Sequence, residues 1–124
     1  GTSISYGLRW TASKDTWIGT MPLGYADGLP RRASGKISVL IAGKLYPQVG
    51  TICMDQCMID LGSDTPPPLG SVVTVFGPTL PAGSEQMGSE QTVPTAVDVS
   101  EAVGTIPYEI LCGISPRVPR TYRH

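Results

Sequence analysis

Along most of the chain, apolar and polar residues alternate in short runs, and each run stops at glycine, proline or a cluster of small polar residues. Period-two runs bounded by such breakers predict strands. Residues 4–12 alternate loosely and predict a first strand, followed by a polar turn at Ser13, Lys14 and Asp15. Residues 17–23 alternate better, with Trp17, Gly19, Met21 and Leu23 on one side and Ile18, Thr20 and Pro22 on the other. Pro22 has no N–H to donate, which puts it at an edge or at the strand's end. Residues 37–41 and 44–49 predict a hairpin closed by Ala42 and Gly43. The run 49–61 is the longest apolar one; its only charges are Asp55 and Asp60, and it predicts a buried strand near the middle of a small sheet. Residues 71–76 are mostly β-branched and predict another strand. Residues 117–122 predict a last one, kept at an edge by Pro119.

Helical spacing is confined to the C-terminal third. Thr95 fits an N-cap with Asp98 three residues on; Val99, Ala102 and Val103 follow on one face, and Gly104 fits the C-terminal stop. Thr105 fits the cap of a second short helix over 107–112, closed by Gly113. The sum is about seven strands and two short helices in one mostly-β domain over residues 1–124, small and β-barrel-like or Greek-key. Strands follow strands without crossover helices, so a parallel α/β sheet is unsupported. Residues 62–70 hold three prolines in a row and predict a surface loop. Residues 79–94 carry the tandem Gly83-Ser84-Glu85-Gln86 and Gly88-Ser89-Glu90-Gln91, and predict a mobile insertion without function of its own.

Composition sharpens this picture by exclusion. Gly 15 and Pro 12 in 124 residues suit short strands joined by turns. A net charge of −1 and 6% aromatics argue against a nucleic-acid surface. No apolar run approaches the roughly 20 residues of a membrane span. No basic and apolar leader opens the chain, and its start at Gly1-Thr2-Ser3 without Met suggests a piece cut from a longer protein. Three cysteines, Cys53, Cys57 and Cys112, argue against a disulfide framework and for a reducing, cytoplasmic setting. Cys53 and Cys57 would share one face of the central strand as small buried hydrophobes. With His124 the single histidine, a zinc site lacks ligands, and no metal is expected.

Candidate chemistry lies elsewhere. The run Gly24-Tyr25-Ala26-Asp27-Gly28-Leu29-Pro30-Arg31-Arg32 breaks the alternation and predicts a loop with special dihedrals, the kind of segment that carries function. Ser5-Tyr6-Gly7 and Pro107-Tyr108-Glu109 are two further tyrosine neighbourhoods. Such a ring is ordinarily half-buried filling. A phenol acting as base needs nearby positive charge to lower its pKa from about 10. Near Tyr6 in sequence, only Arg9 supplies any. Asp27 beside Gly28 suits turn chemistry and Asp60 a strand end, so a carboxylate pair is disfavoured, and there is no Ser-His-Asp set or phosphate-type glycine loop.

Taken in order, Ser5-Tyr6-Gly7, Gly24-Tyr25-Ala26-Asp27-Gly28, Gly50-Thr51-Ile52-Cys53-Met54-Asp55-Gln56, Thr105-Ile106-Pro107-Tyr108-Glu109-Ile110 and Arg117-Val118-Pro119-Arg120 resemble the C-terminal domain of bacterial alanine racemase. The resemblance covers nearly the whole chain, outside the proline-rich loop and residues 79–94.

That resemblance implies a pyridoxal-phosphate isomerase that interconverts L- and D-alanine for peptidoglycan. Its N-terminal (β/α)8 barrel holds the cofactor and the lysine to which the cofactor attaches, and the enzyme is a head-to-tail homodimer. The barrel is absent here, and Lys14, Lys36 and Lys44 sit in a polar turn or at strand starts, so the piece alone is expected to be inactive. Tyr6 matches the catalytic tyrosine, the base that takes the α-proton of L-alanine in the partner subunit's site. Met54, between Cys53 and Asp55, matches the residue whose backbone N–H binds the substrate carboxylate. Tyr25 resembles the tyrosine lining the substrate entryway, Tyr108 the one that reaches the cofactor phosphate, and Arg32 an entryway arginine. Thr51 departs from the family, which often has Arg there. A serine racemase of the same family and a non-catalytic β module are the alternatives.

Overall fold

The structure, a computed structural model, describes residues 1–77 and 93–122. Ala42 and Gly43 both take positive φ, 48° and 80°, the turn geometry whose twist suits two antiparallel strands. That turn joins β4 (Ser38–Ile41) to β5 (Lys44–Val49), with Leu40 opposite Leu45 and Val39 opposite Tyr46. Alternation sends Val39, Ile41, Tyr46 and Gln48 inward. β6 (Cys57–Gly62) pairs antiparallel with β5 and, on its other side, with β3 (Trp17–Met21); β7 (Val73–Thr74) pairs with β4.

The sheet order β3-β6-β5-β4-β7 is a Greek-key arrangement curled into a half-barrel. Two short helices, α1 (Ala96–Val103) and α2 (Pro107–Cys112), follow. Val99 and Ile110 from these helices are buried in one core with Val39, Ile41, Ile52 and Ile59. The expected mostly-β domain with two C-terminal helices is what is found. Thr95 and Asp98 form the expected reciprocal cap, the Thr95 hydroxyl accepting from Asp98 N–H and the Asp98 carboxylate from Thr95 N–H, and Gly104 closes α1 in the left-handed region. Pro22 lies just past the end of an edge strand.

Several expectations are corrected. Residues 4–12 are not one strand but a hairpin of β1 (Ser3–Ile4) and β2 (Trp10–Thr11) around a 3₁₀ turn, Tyr6–Leu8. Positive φ at Ser5, Gly7 and Leu8 reverses the chain there. The run 49–61 is likewise divided. β5 ends at Val49, Gly50 turns away at φ 73°, and the chain rejoins the sheet at Cys57 as β6. Cys53 therefore lies off the strand that Cys57 begins. Residues 117–122 form no strand: the Arg120 guanidinium folds back and donates to the carbonyls of Ile114, Ser115 and Val118 at 2.7–2.9 Å. Among the described residues the strands again number seven, because one split offsets one loss. Ile106, not Thr105, caps α2; Thr105 N–H instead donates to Ser100 at the end of α1. The insertion expected at 79–94 falls outside the described residues except for its last two positions. Among the described residues, no helix is long and apolar enough to cross a membrane.

Candidate active site

Three loops that the sequence separates meet at one end of the sheet. The first is the hairpin tip. Ser5 at φ 70° and Leu8 at φ 47° hold a conformation that L side chains rarely take, and Leu8 N–H closes the turn on the Ser5 carbonyl at 3.1 Å. Strain of this kind persists where neighbours impose it. Here the Ser5 hydroxyl donates to the Thr51 carbonyl at 2.6 Å, and a Cβ on Gly50 would stand 2.6 Å from that of Ser5. The tip is thereby seated on residues 50–51, and it presents the Tyr6 ring 73% exposed.

The second loop is 24–28. The buried carboxylate of Asp27 accepts from Gly24 N–H at 3.0 Å, which closes the turn from inside. Arg117 Nε stands 3.5 Å from the other carboxylate oxygen. Tyr25 N–H then donates to the Cys53 carbonyl at 3.1 Å and Ala26 N–H to the Met54 carbonyl at 2.8 Å. The third loop, 50–56, is thus clamped from two sides, and it closes on itself through Cys53 N–H and the Gln56 carbonyl at 2.9 Å. Both carbonyls at its turn are used, while Met54 N–H has no partner among the described residues.

Two residues that sequence reasoning missed hold this arrangement from behind. Gln48, 1% exposed, accepts from Gly35 N–H at 2.7 Å and donates to the carbonyls of Val49 and Gly50 at 2.8 and 3.0 Å. Ser34 donates to the Arg31 carbonyl and accepts from Ile52 N–H at 2.8 Å. An amide side chain at an inward position of β5 was the available signal for Gln48; Ser34 gave none.

Between the loops lies an open cleft of about 310 Å³, lined by Tyr6, Tyr25, Arg31, Thr51, Ile52, Cys53 and Met54. Of the residues singled out from sequence, it unites Tyr6, Tyr25, Cys53 and Met54. Asp55 is exposed next to Met54 without lining the cleft. Arg32 lines the neighbouring hollows, and it is Arg31 that lines this one. The two are adjacent in a 3₁₀ turn, Arg31–Ala33, which aims their side chains differently. Tyr108 stands on α2, 75% exposed and away from the cleft. No lysine lines the cleft; Lys44 instead lies over the Tyr46 ring at 5.3 Å.

The cleft's chemistry is that of a phenol and a guanidinium, beside Met54, whose backbone N–H has no partner among the described residues. Cys53, partly exposed, is its one thiol. Cys57 is buried, and loss of solvent, aided by Cys53 nearby, pushes its thiol up to about 12. Among the described residues, no group of three or more His, Cys, Asp and Glu is placed to hold a metal.

Residues 1–122 match the family described as "Alanine racemase, C-terminal domain". An alanine racemase of Cutibacterium acnes is 48% identical over 120 residues, which cover 97% of this chain and 29% of that protein. The crystal structure of alanine racemase from D-cycloserine producing Streptomyces lavendulae is similar with a TM-score of 0.86 and 40% identity, covering 100% of this chain and 30% of that one. That of alanine racemase from Bacillus anthracis with bound L-Ala-P gives 0.84 and 39%, over 100% and 29%. The chain spans under a third of the length of each of these relatives.

Proposed function

The chain belongs to the alanine racemase C-terminal domain family, and on that premise we propose that it works as half of an alanine-racemising site whose other half is a barrel domain. The observation that carries this reading is that Tyr6 and Met54 line one cleft, the Met54 N–H having no partner among the described residues. Racemisation needs a proton taken from one face of the α-carbon and returned to the other, so two groups must stand on opposite faces. Tyr6 is one of them and takes the α-proton of L-alanine on its phenolic oxygen. Its exposure on a strained, rigidly seated tip suits a group that must enter another subunit's site. Met54 N–H holds the substrate carboxylate, and because the Cys53 and Met54 carbonyls are already engaged, the loop presents a donor there and no competing acceptor. Cys53 and Asp55 flank that donor.

Pyridoxal phosphate supplies the sink for the carbanion's electrons when it is bound. This chain fits only part of that cofactor. No amine lines the cleft, so attachment would fall to the barrel, while Tyr108, 75% exposed on α2, would be the residue of this chain to hold the cofactor's phosphate. Tyr25 narrows the approach beside Tyr6, with Arg31 on the same cleft and Arg32 in the adjoining hollow that Tyr25 also lines. The exposed apolar residues Leu8, Met54, Ile106 and Leu111 suit burial against barrel domains in a head-to-tail homodimer. L-Ala-P bound by the Bacillus anthracis relative supports an alanine-sized ligand, and D-alanine for the cell wall, made in the cytoplasm, is the product.

The test joins this chain to the barrel of an alanine racemase relative and follows D-alanine formed from L-alanine with pyridoxal phosphate. The joined protein is expected to turn over and the chain alone to give only the free-cofactor rate. A joined protein that folds, loads cofactor and does not racemise alanine would overturn the reading.

A further inference from the structure

Beside the cleft, and sharing Arg31 and Thr51 with it, lies a second and larger hollow of about 440 Å³. Its rim carries Arg9 from the hairpin, Arg31 and Arg32 from the 3₁₀ turn, and Lys36 just beyond. These are four of the chain's nine Lys and Arg residues, in a chain of net charge −1, and among the described residues no carboxylate lines the hollow. Among the described residues, none of the four makes an ion pair; the sole pair is Arg117 with Asp27. Gathering like charges without a counter-charge is unfavourable unless something anionic offsets it. Thr51, at the floor, is a second and independent sign. It is 6% exposed, and its hydroxyl has no hydrogen-bond partner among the described residues, a condition that buried polar groups rarely keep.

We infer that this groove is a binding site for a small phosphate-type dianion, held by the Arg9, Arg32 and Lys36 side chains at the rim and the Thr51 hydroxyl at the floor. Guanidinium forks match the oxygens of such an ion, and an ammonium adds charge without demanding direction. Arg31 stands between groove and cleft, so an ion in the groove competes for the guanidinium that lines the Tyr6 side.

Titrating the isotope-labelled chain with inorganic phosphate at constant ionic strength, following backbone amide resonances, tests this without alanine or pyridoxal phosphate. The outcome is therefore independent of any racemase activity. Saturable shifts confined to residues 31–36, 50–51 and Arg9 are expected. Arg32→Gln and Lys36→Gln should each weaken binding about tenfold, the loss of one charge-assisted contact. Lys14→Gln, on a distant turn, should leave it unchanged. Both substituted side chains are exposed, and unshifted core methyl resonances will show that the variants fold. Shifts that do not saturate, shifts that chloride reproduces, acetate binding as tightly as phosphate, or variants binding like the parent would each overturn the inference.

Discussion

A methyl carbon placed on Gly24 would lie 2.1 Å from the Cys53 carbonyl oxygen and 2.6 Å from the Met54 carbonyl. No such contact exists in a folded protein, and both obstacles are backbone. The 24–28 loop can therefore deliver Tyr25 N–H to Cys53 only if residue 24 lacks a side chain. Gly24→Ala is expected to cost about 2–4 kcal/mol, read as a lower urea midpoint at unchanged slope. A midpoint within error of the parent would show that the two loops are not in register as described.

Asp27 and Arg117 form an unequal pair. The carboxylate is buried and also accepts from Gly24 N–H, whereas the guanidinium side chain is 60% exposed. Asp27→Ala strands a buried donor and should cost about 2 kcal/mol or more. Arg117→Ala removes a largely solvated partner and should cost under about 1 kcal/mol. Equal losses in denaturant titrations would contradict this division.

Alkaline pH should act through Cys57. Its thiol keeps its proton up to about 12 in the folded chain, against 9.0 for an unperturbed cysteine. Between those values the folded state binds more protons than the unfolded one, so stability falls as pH rises. The contribution is complete below pH 9.0 and lost towards 12. Cys57→Ala is expected to unfold more readily at neutral pH but to show a shallower decline from pH 9 upward, followed by denaturant midpoints against pH. A decline as steep as the parent's would remove Cys57 from the account.

In the barrel-joined protein, Tyr6→Phe should lower kcat for L-alanine by about 10²–10⁴ while the protein still loads cofactor. Met54→Leu keeps the backbone donor and should stay within about threefold of the parent, because the contact is not made by the side chain. Tyr6→Phe activity equal to the parent's from the L side would rule out the phenol as base.

Much of this was legible along the chain because it depends on local periods and local caps. The alternation of β4 and β5 with Gly43 between them, the Thr95–Asp98 cap and the helical face at Val99 are all short-range features, and short-range sterics and hydrogen bonding decide them. Tyr6 and Met54 stand in motifs visible along the chain, and the structure brings both to one cleft. The sequence also placed Asp27 in its turn, since a carboxylate three residues after Gly24 and one before Gly28 has few other uses.

What it could not determine were relations across distance. The run from Val49 to Leu61 looks continuous because its hydrophobicity is, yet Gly50 turns it out of the sheet, and only the seating of Ser5 on residues 50–51 makes that turn necessary. The 117–122 run alternates like a strand, but the Arg120 guanidinium takes up the carbonyls next to it. Arg31 and Arg32 are indistinguishable in sequence; the direction of a 3₁₀ turn sends one to the Tyr6 cleft and the other beside it. The gathering of Arg9, Arg31, Arg32 and Lys36 is hidden for the same reason. Hydrophobic period records which face a residue takes, whereas side-chain direction and loop contact belong to the packed chain alone.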